Sequence, residues 1–384
     1  MKKVLALTLA LTLALSLAAC GSSAPASSAA APAPAQQTPA SAAAPASTPA
    51  VAGGSVQGKT VVFIPKLTGN AFFESANKGA QAYAEGWGFT VDYQGSPNAA
   101  VADQVQVINN AIATGADAIC VSSVDATGLD SALKDAIAAG MTVVTWDSDV
   151  SDNARSLMVS QGTPDLLGEM LVNMGADSLK NRGVDPEKDE VKYCWHYSQA
   201  TVADQNSWQV AGEAYIKEKY PNWVNVAPSN YYSEQDAEKA VSIGASILEA
   251  HKDIDLVICN DSTALPGQLK AVQNAGLTQK DVTITGFASP MSIKDYCEAG
   301  VIEQWGLWDC GLQGGIGVYL AAYLAAGNTV KVGDKLDIPN IGTVEIMPND
   351  CLVAGATTAP ENNGVVLLPE RAVFNKDNVN NYDF

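Results

Sequence analysis

From Lys59 onward, apolar runs of five to seven residues alternate with longer stretches whose apolar positions recur at helical spacing. VVFIP (61–65), FTVDY (89–93), DAICVS (117–122) and TVVTW (142–146) form a first series, separated by helical patterns over about 70–86, 100–114 and 127–139. A second series contains VKYCWHY (191–197), WVNVA (223–227), DLVIC (255–259) and VTITGF (282–287). Strands that are apolar throughout, rich in β-branched residues and separated by helices, imply parallel sheets covered on both faces. Glycines at Ala139-Gly140 and Ala275-Gly276 punctuate helix ends, as C-terminal caps do. The pattern predicts an α/β chain with two successive doubly wound parallel-sheet lobes. Ligands of such sheets bind just past the carboxyl ends of the strands.

Those positions hold a consistent set of side chains. Lys66 follows VVFIP, and Asp147 follows TVVTW within TVVTWDSD. Asp204 and Gln205 follow VKYCWHY after a short loop, Pro266 lies in the loop after DLVIC, and Trp308 ends the run from Val301 to Leu307. One cation, two carboxylates, an amide and an indole suit a small polyhydroxylated molecule: the polar groups exchange hydrogen bonds with hydroxyls and the ring packs on C–H groups. Each residue taken alone also has a structural reading. Asp204 fits a helix N-cap, Lys66 a solvated surface, Trp308 the core, and Asp147 or, better, Asp149 the closure of a turn. The same two carboxylates also fit a glycosidase pair, but a neighbouring lysine favours ionised carboxylates, whereas a general acid needs a raised pKa. No nucleophile elbow, P-loop or GxGxxG stands at a suitable strand end, so an enzyme is not expected.

Composition narrows the partner. The chain carries three arginines, Arg155, Arg182 and Arg371, none directly after a predicted strand. Arginine is the usual clamp for oxyanions, so an anionic ligand is disfavoured. The formal charge is −19, and loss of Lys2 and Lys3 with a leader would make it −21, which disfavours nucleic acid and anionic lipid. Six cysteines follow Cys20 without a CxxC pair, and His196 and His251 are the only histidines, so neither a metal site nor another cofactor is expected. Cys120, Cys194 and Cys259 sit in apolar strands and read as buried thiols.

Residues 1–19 read as a secretory signal, with two lysines, an apolar run and small residues. LAACG (17–21) resembles a bacterial lipobox, which implies lipidation at Cys20. Residues 20–57 are Ala, Pro and Ser rich and uncharged. They read as a disordered tether of roughly 30–35 Å.

FIPKLTGNAFF (63–73), QVQVINNAI (104–112), VTWDSD (144–149), SQGTP (160–164), TVADQNSW (201–208), GLWD (306–309), GDKLDI (333–338) and LLPERAVFN (367–375) resemble segments of the ribose-type periplasmic binding proteins, the solute receptors of ABC importers. Within that family the chain is similar to the Lsr-type autoinducer-2 binding proteins. The resemblance implies a type I periplasmic-binding fold: two doubly wound lobes joined by crossover hinges, 58–158 with 289–308 forming the N-terminal lobe and 159–288 with 309–384 the C-terminal one. It implies a ligand enclosed between the lobes and held by Lys66, Asp147, Asp204, Gln205 and Pro266; Phe72, Trp308 and Gln268 complete the expected ligand-binding set. Two positions past the proline, where those binders carry alanine, stands Gln268, a side chain that would narrow any pocket it faced. The implied protein is a monomeric, membrane-tethered receptor on the outer face of the cytoplasmic membrane. It would deliver autoinducer-2 to an ABC permease, the alternative ligand being a simple sugar such as rhamnose or ribose.

Overall fold

The computed structural model describes residues 53–384, so the expected signal and most of the tether, with Cys20, lie outside the described residues. Residues 53–57, expected in the tether, belong to the fold. Gly54 exchanges hydrogen bonds with the Ala326 carbonyl and the Asn328 side chain.

The chain runs β1 (Thr60–Ile64), α1 (Ala71–Trp87), β2 (Thr90–Tyr93), α2 (Val101–Thr114), β3 (Ala118–Val121), α3 (Asp130–Ala138), β4 (Thr142–Trp146) and β5 (Leu157–Ser160). It continues with α4 (Pro164–Arg182), β6 (Val191–Tyr197), α5 (Ala203–Lys219), β7 (Trp223–Asn225), β8 (Tyr231–Tyr232), α6 (Ala237–Ala250), β9 (Leu256–Cys259), α7 (Ala264–Asn274), β10 (Thr283–Gly286), α8 (Pro290–Glu298) and β11 (Gln304–Leu307). The last elements are α9 (Cys310–Ala325), β12 (Lys335–Ile338), β13 (Gly342–Glu345), β14 (Gly364–Leu367) and β15 (Ala372–Asn375).

Two parallel sheets organise these elements, in the orders β14-β5-β4-β3-β1-β2 and β10-β9-β6-β7, with β8 beside the end of β6. Strands β3 and β9 are buried along their whole length because helices cover both faces, which is why the sequence shows unbroken apolar runs rather than alternation. Local signals set the helix ends. Asn70 caps α1 by accepting from the Phe72 N–H, Thr163 caps α4 ahead of Pro164, and Gly88 ends α1 in the left-handed conformation at φ 79°.

The later segments join the two lobes differently from the expected split. Helix α9 and strand β14 belong with the first sheet, whereas α8 and β11 pack beside β10 and α7 in the second lobe. Close backbone approach explains the seat of α9 on α1: a Cβ at Gly314 would lie 2.3 Å from the Ala76 carbonyl oxygen. The chain therefore crosses between lobes three times, after β5, after β11 and after β14, with Arg371 tying the third crossing to the first through Nε and the Gln161 carbonyl (2.7 Å). Among the described residues no helix is long and apolar enough to cross a membrane.

Candidate functional site

The opposed carboxyl ends of the two sheets meet at a buried charged cluster. Lys66, two residues past β1, places Nζ 2.9 Å from Asp147 Oδ2 and 3.7 Å from Asp204 Oδ1, with its side chain only 2 % exposed. Gln104 of α2 fixes the loop behind it by donating to the carbonyls of Pro65 (2.9 Å) and Ser122 (2.7 Å).

The TVVTWDSD stretch performs three tasks in succession. Trp146 closes β4 inside the core, stacked on Phe63 at 4.6 Å between ring centroids. Asp147 then turns into the left-handed region at φ 59°, a conformation that costs a non-glycine residue and persists only where its surroundings hold it. Here its N–H donates to the Val159 carbonyl (3.2 Å), and its own carbonyl accepts from Gln161 Nε2 (3.1 Å). Its carboxylate accepts from Ser122 Oγ (2.6 Å) as well as from Lys66. Asp149 closes the turn, as expected, by taking the Arg155 guanidinium in a two-pronged pair and accepting from Thr145 Oγ1.

From the second lobe come Asp204 and Gln205, both in the first turn of α5. The cap of that helix is Val202, without a side-chain cap bond, so Asp204 is not its N-cap. Asp204 instead reaches across to accept from Ser148 Oγ, while its Oδ2 is buried without a hydrogen-bond partner. Gln205 Nε2 donates to Asp261 Oδ2 (3.0 Å), and its Oε1 accepts from the Ser198 N–H (3.2 Å). Asp261 also accepts from the N–H groups of Thr263 and Ala264 at the start of α7. An aromatic wall completes the cluster: Trp308 lies 5.8 Å from Phe72, 5.9 Å from Trp208 and 5.5 Å from Phe287, centroid to centroid. Its indole N–H is already bonded to Gln313 Oε1 (2.7 Å), so the ring offers an apolar surface.

Three buried carboxylates around one ammonium create an unequal contest. Burial works against the Lys66 charge, yet Asp147 and Asp204 more than offset it and raise its pKa. Burial raises Asp261, and it pushes Asp204 up to about 6 in spite of Lys66. Desolvation thus outweighs, at Asp204, the pull of a cation that Asp147 holds more closely, and shifts that carboxyl upward without keeping it protonated at neutral pH.

These residues enclose a cavity of about 20 Å³, room for little more than one water. A cleft of about 1170 Å³ opens beside it and shares Phe72, Gln235 and Ser262 with it. The lobes touch above the cluster through Asn70 Nδ2 to Thr263 Oγ1 (3.2 Å) and the Ala126 N–H to the Thr201 carbonyl (3.1 Å). A sugar-sized molecule therefore enters only when the lobes part.

Of the residues singled out in the sequence, Lys66, Phe72, Asp147, Asp204, Gln205 and Trp308 converge here. Pro266 lines only the outer cleft. Gln268 does not face the cavity: it is fully buried behind it, 3.1 Å from His196 Nδ1, so it does not narrow the binding space. Both residues already lie inside α7, while Asn260, Asp261 and Ser262, directly after β9, are the ones that reach the cavity. Trp208 was legible in principle, being four residues beyond Asp204 and hence on the same helical face.

Residues 61–329 match the periplasmic binding protein domain family. The chain belongs to the periplasmic binding protein family. Among solved structures, this binding protein is similar to LsrB from Clostridium saccharobutylicum in complex with AI-2. The two are 68% identical, with 85% of this chain and 100% of that one covered and a TM-score of 0.84. A solute binding protein of Clostridium phytofermentas with bound L-rhamnose shares the fold at 21% identity, with 85% and 98% covered and a TM-score of 0.73. The D-ribose/D-allose-binding protein of Pseudomonas aeruginosa is 25% identical over 282 residues, 70% of this chain and 83% of that protein.

Proposed function

We propose that this protein is the extracytoplasmic receptor of an ABC importer and captures autoinducer-2 between its lobes. The observation that carries the reading is the 68% identity to an LsrB that holds AI-2, over 85% of this chain and the whole of that one. The site chemistry agrees. Lys66 and Asp147 from the first lobe, with Asp204 and Gln205 from the second, supply donors and acceptors to a small polyhydroxylated furanose-like ligand, and the aromatic wall covers its C–H face. Such a ligand favours the closed form only through its better affinity for that form, and contacts contributed by both lobes supply the difference. In this reading Pro266 shapes the entrance rather than the ligand shell, and Gln268 supports it from behind. A raised Asp204 beside Asp147 also resembles a glycosidase pair, but membership in a family of binding proteins favours capture without turnover.

The reading extends to the chain's address. Export by residues 1–19, lipidation at Cys20 and the tether of 20–57 would hold a monomeric receptor at the outer face of the cytoplasmic membrane and raise its local concentration near a permease. Cells expressing the full chain with labelled palmitate should yield a labelled protein, and Cys20→Ala should abolish the label; an equally labelled variant would refute the anchor.

Calorimetric titration tests the ligand. The exported chain carrying Cys20→Ala is freed of bound ligand by unfolding and refolding, then titrated separately with autoinducer-2, L-rhamnose and D-ribose. One-to-one binding of autoinducer-2, with the two sugars silent, is the expected result. Binding of a plain sugar alone would move the protein to the sugar receptors.

A further inference from the structure

The geometry points to Gln235 as a specificity-determining residue of the second lobe, its amide meeting the ligand oxygen that faces the cleft mouth. This inference rests on the capture reading above and goes beyond the residues in which that reading was framed.

Three observations converge on Gln235. First, it lines both the inner cavity and the outer cleft, at the junction through which a ligand passes. Second, it is only 6 % exposed, yet its amide makes no hydrogen bond to another side chain or backbone group among the described residues. Its Nε2 and Oε1 are not sealed away from the cavity and cleft, so the two donors and two acceptor lone pairs of the amide are available to whatever enters. Third, its backbone is strained. Glu234 and Gln235 are consecutive non-glycine residues in the left-handed region, at φ 54° and 57°. That conformation is uncommon even singly and survives where neighbouring structure enforces it.

The enforcing contacts are identifiable. The Ser233 N–H donates to the Tyr197 carbonyl (2.9 Å), and the Glu234 N–H donates to the Ser198 carbonyl (2.7 Å). On the far side, Asp236 caps α6 by accepting from the Lys239 N–H, and Lys239 Nζ pairs with Glu234 Oε1 at 2.7 Å. The loop is thus stapled to the end of β6, the same strand end whose Ser198 N–H holds Gln205. Gln235 is therefore fixed relative to Gln205 and Asp261 within one lobe, opposite the Lys66 and Asp147 charges of the other. A neutral amide there both donates to and accepts from hydroxyls. Glu234, Asp236 and Glu238 along the outer cleft add a negative rim that disfavours carboxylated or phosphorylated ligands.

Gln235→Gly separates a binding role from a structural one, because glycine adopts the left-handed backbone without strain. The full exported chain and this variant, both stripped of ligand, are titrated with autoinducer-2, L-rhamnose and D-ribose, and their thermal midpoints are recorded without ligand. The expected result is an affinity about 10- to 100-fold weaker for whichever ligand the wild type prefers. Preference among the three should narrow, and the ligand-free midpoint should not fall by more than a few degrees. A wild type that binds while Gln235→Gly matches its affinity and preference within twofold overturns this inference alone. A variant whose midpoint falls steeply assigns Gln235 to the fold and overturns it too. A wild type that binds none of the three probes overturns the capture reading and this inference with it.

Discussion

Replacing Lys66 by methionine is expected to destabilise the ligand-free protein by about 3–5 kcal/mol at pH 7.5, the usual consequence of removing one partner from a buried ion pair. The size follows from what remains. Asp147, Asp204 and Asp261 would share a nearly enclosed space in which, among the described residues, Ser122 Oγ, Ser148 Oγ, the Gln205 amide and backbone N–H groups are their hydrogen-bond donors. Asp204 already shows the direction. It keeps its proton up to about pH 6 in the folded protein, against an ordinary value of 3.8. The folded state therefore binds more protons than the unfolded state between about pH 4 and 6, and the stability contributed by this group declines as pH rises through that window. Without Lys66 the window should widen upward, because the cation that lowers Asp204 is gone. Urea unfolding at pH 7.5 and 5.5 checks this. The deficit of Lys66→Met should be large at the higher pH and clearly smaller at the lower one. A variant as stable as wild type at pH 7.5 would mean that the carboxylates are not buried around Lys66 as described.

The strands and most helix ends were legible because local chemistry set them: β-branched apolar runs for β1, β3, β4, β6 and β9, and Asn70, Thr163 and Gly88 at helix ends. Site residues directly after those strands were legible for the same reason. The rest depended on long-range packing. Helix α9 is apolar on every side, so no face in its sequence says which sheet it covers, and the expected lobe boundaries fell on the wrong side of it. Pro266 and Gln268 lie in helix rather than loop because only four residues separate the end of β9 from the start of α7 at Ala264, so the loop that reaches the cavity is shorter than the sequence suggests. Gln235 carried no signal. Its loop reaches the site only because β8 lies beside the end of β6, and nothing in YYSEQD predicts two left-handed residues in a row.

Asp147 is where local strain and ligand chemistry coincide, and its replacement should have the largest effect on binding. Truncating one partner of a buried, hydrogen-bonded charge pair costs roughly 2–5 kcal/mol, so Asp147→Ala should weaken autoinducer-2 binding by about 30- to several-thousand-fold in the titration described above. Part of that loss belongs to the ligand's hydroxyls, which lose an acceptor, and part to Lys66, left with Asp204 at 3.7 Å as its nearer remaining partner. Asp147→Asn separates the two contributions from backbone effects. Asparagine tolerates the left-handed conformation that alanine resists, and its amide oxygen still accepts from Ser122. Asp147→Asn should therefore keep the turn and be less destabilised than Asp147→Ala, but bind more weakly than the wild type, because a neutral amide is a poorer acceptor than a carboxylate and does not balance the Lys66 charge. Binding by Asp147→Asn and Asp147→Ala within threefold of wild type would remove Asp147 from the ligand shell and reduce it to a turn residue. Equal losses in both variants would assign the whole effect to the carboxylate charge, since asparagine preserves the shape and the turn.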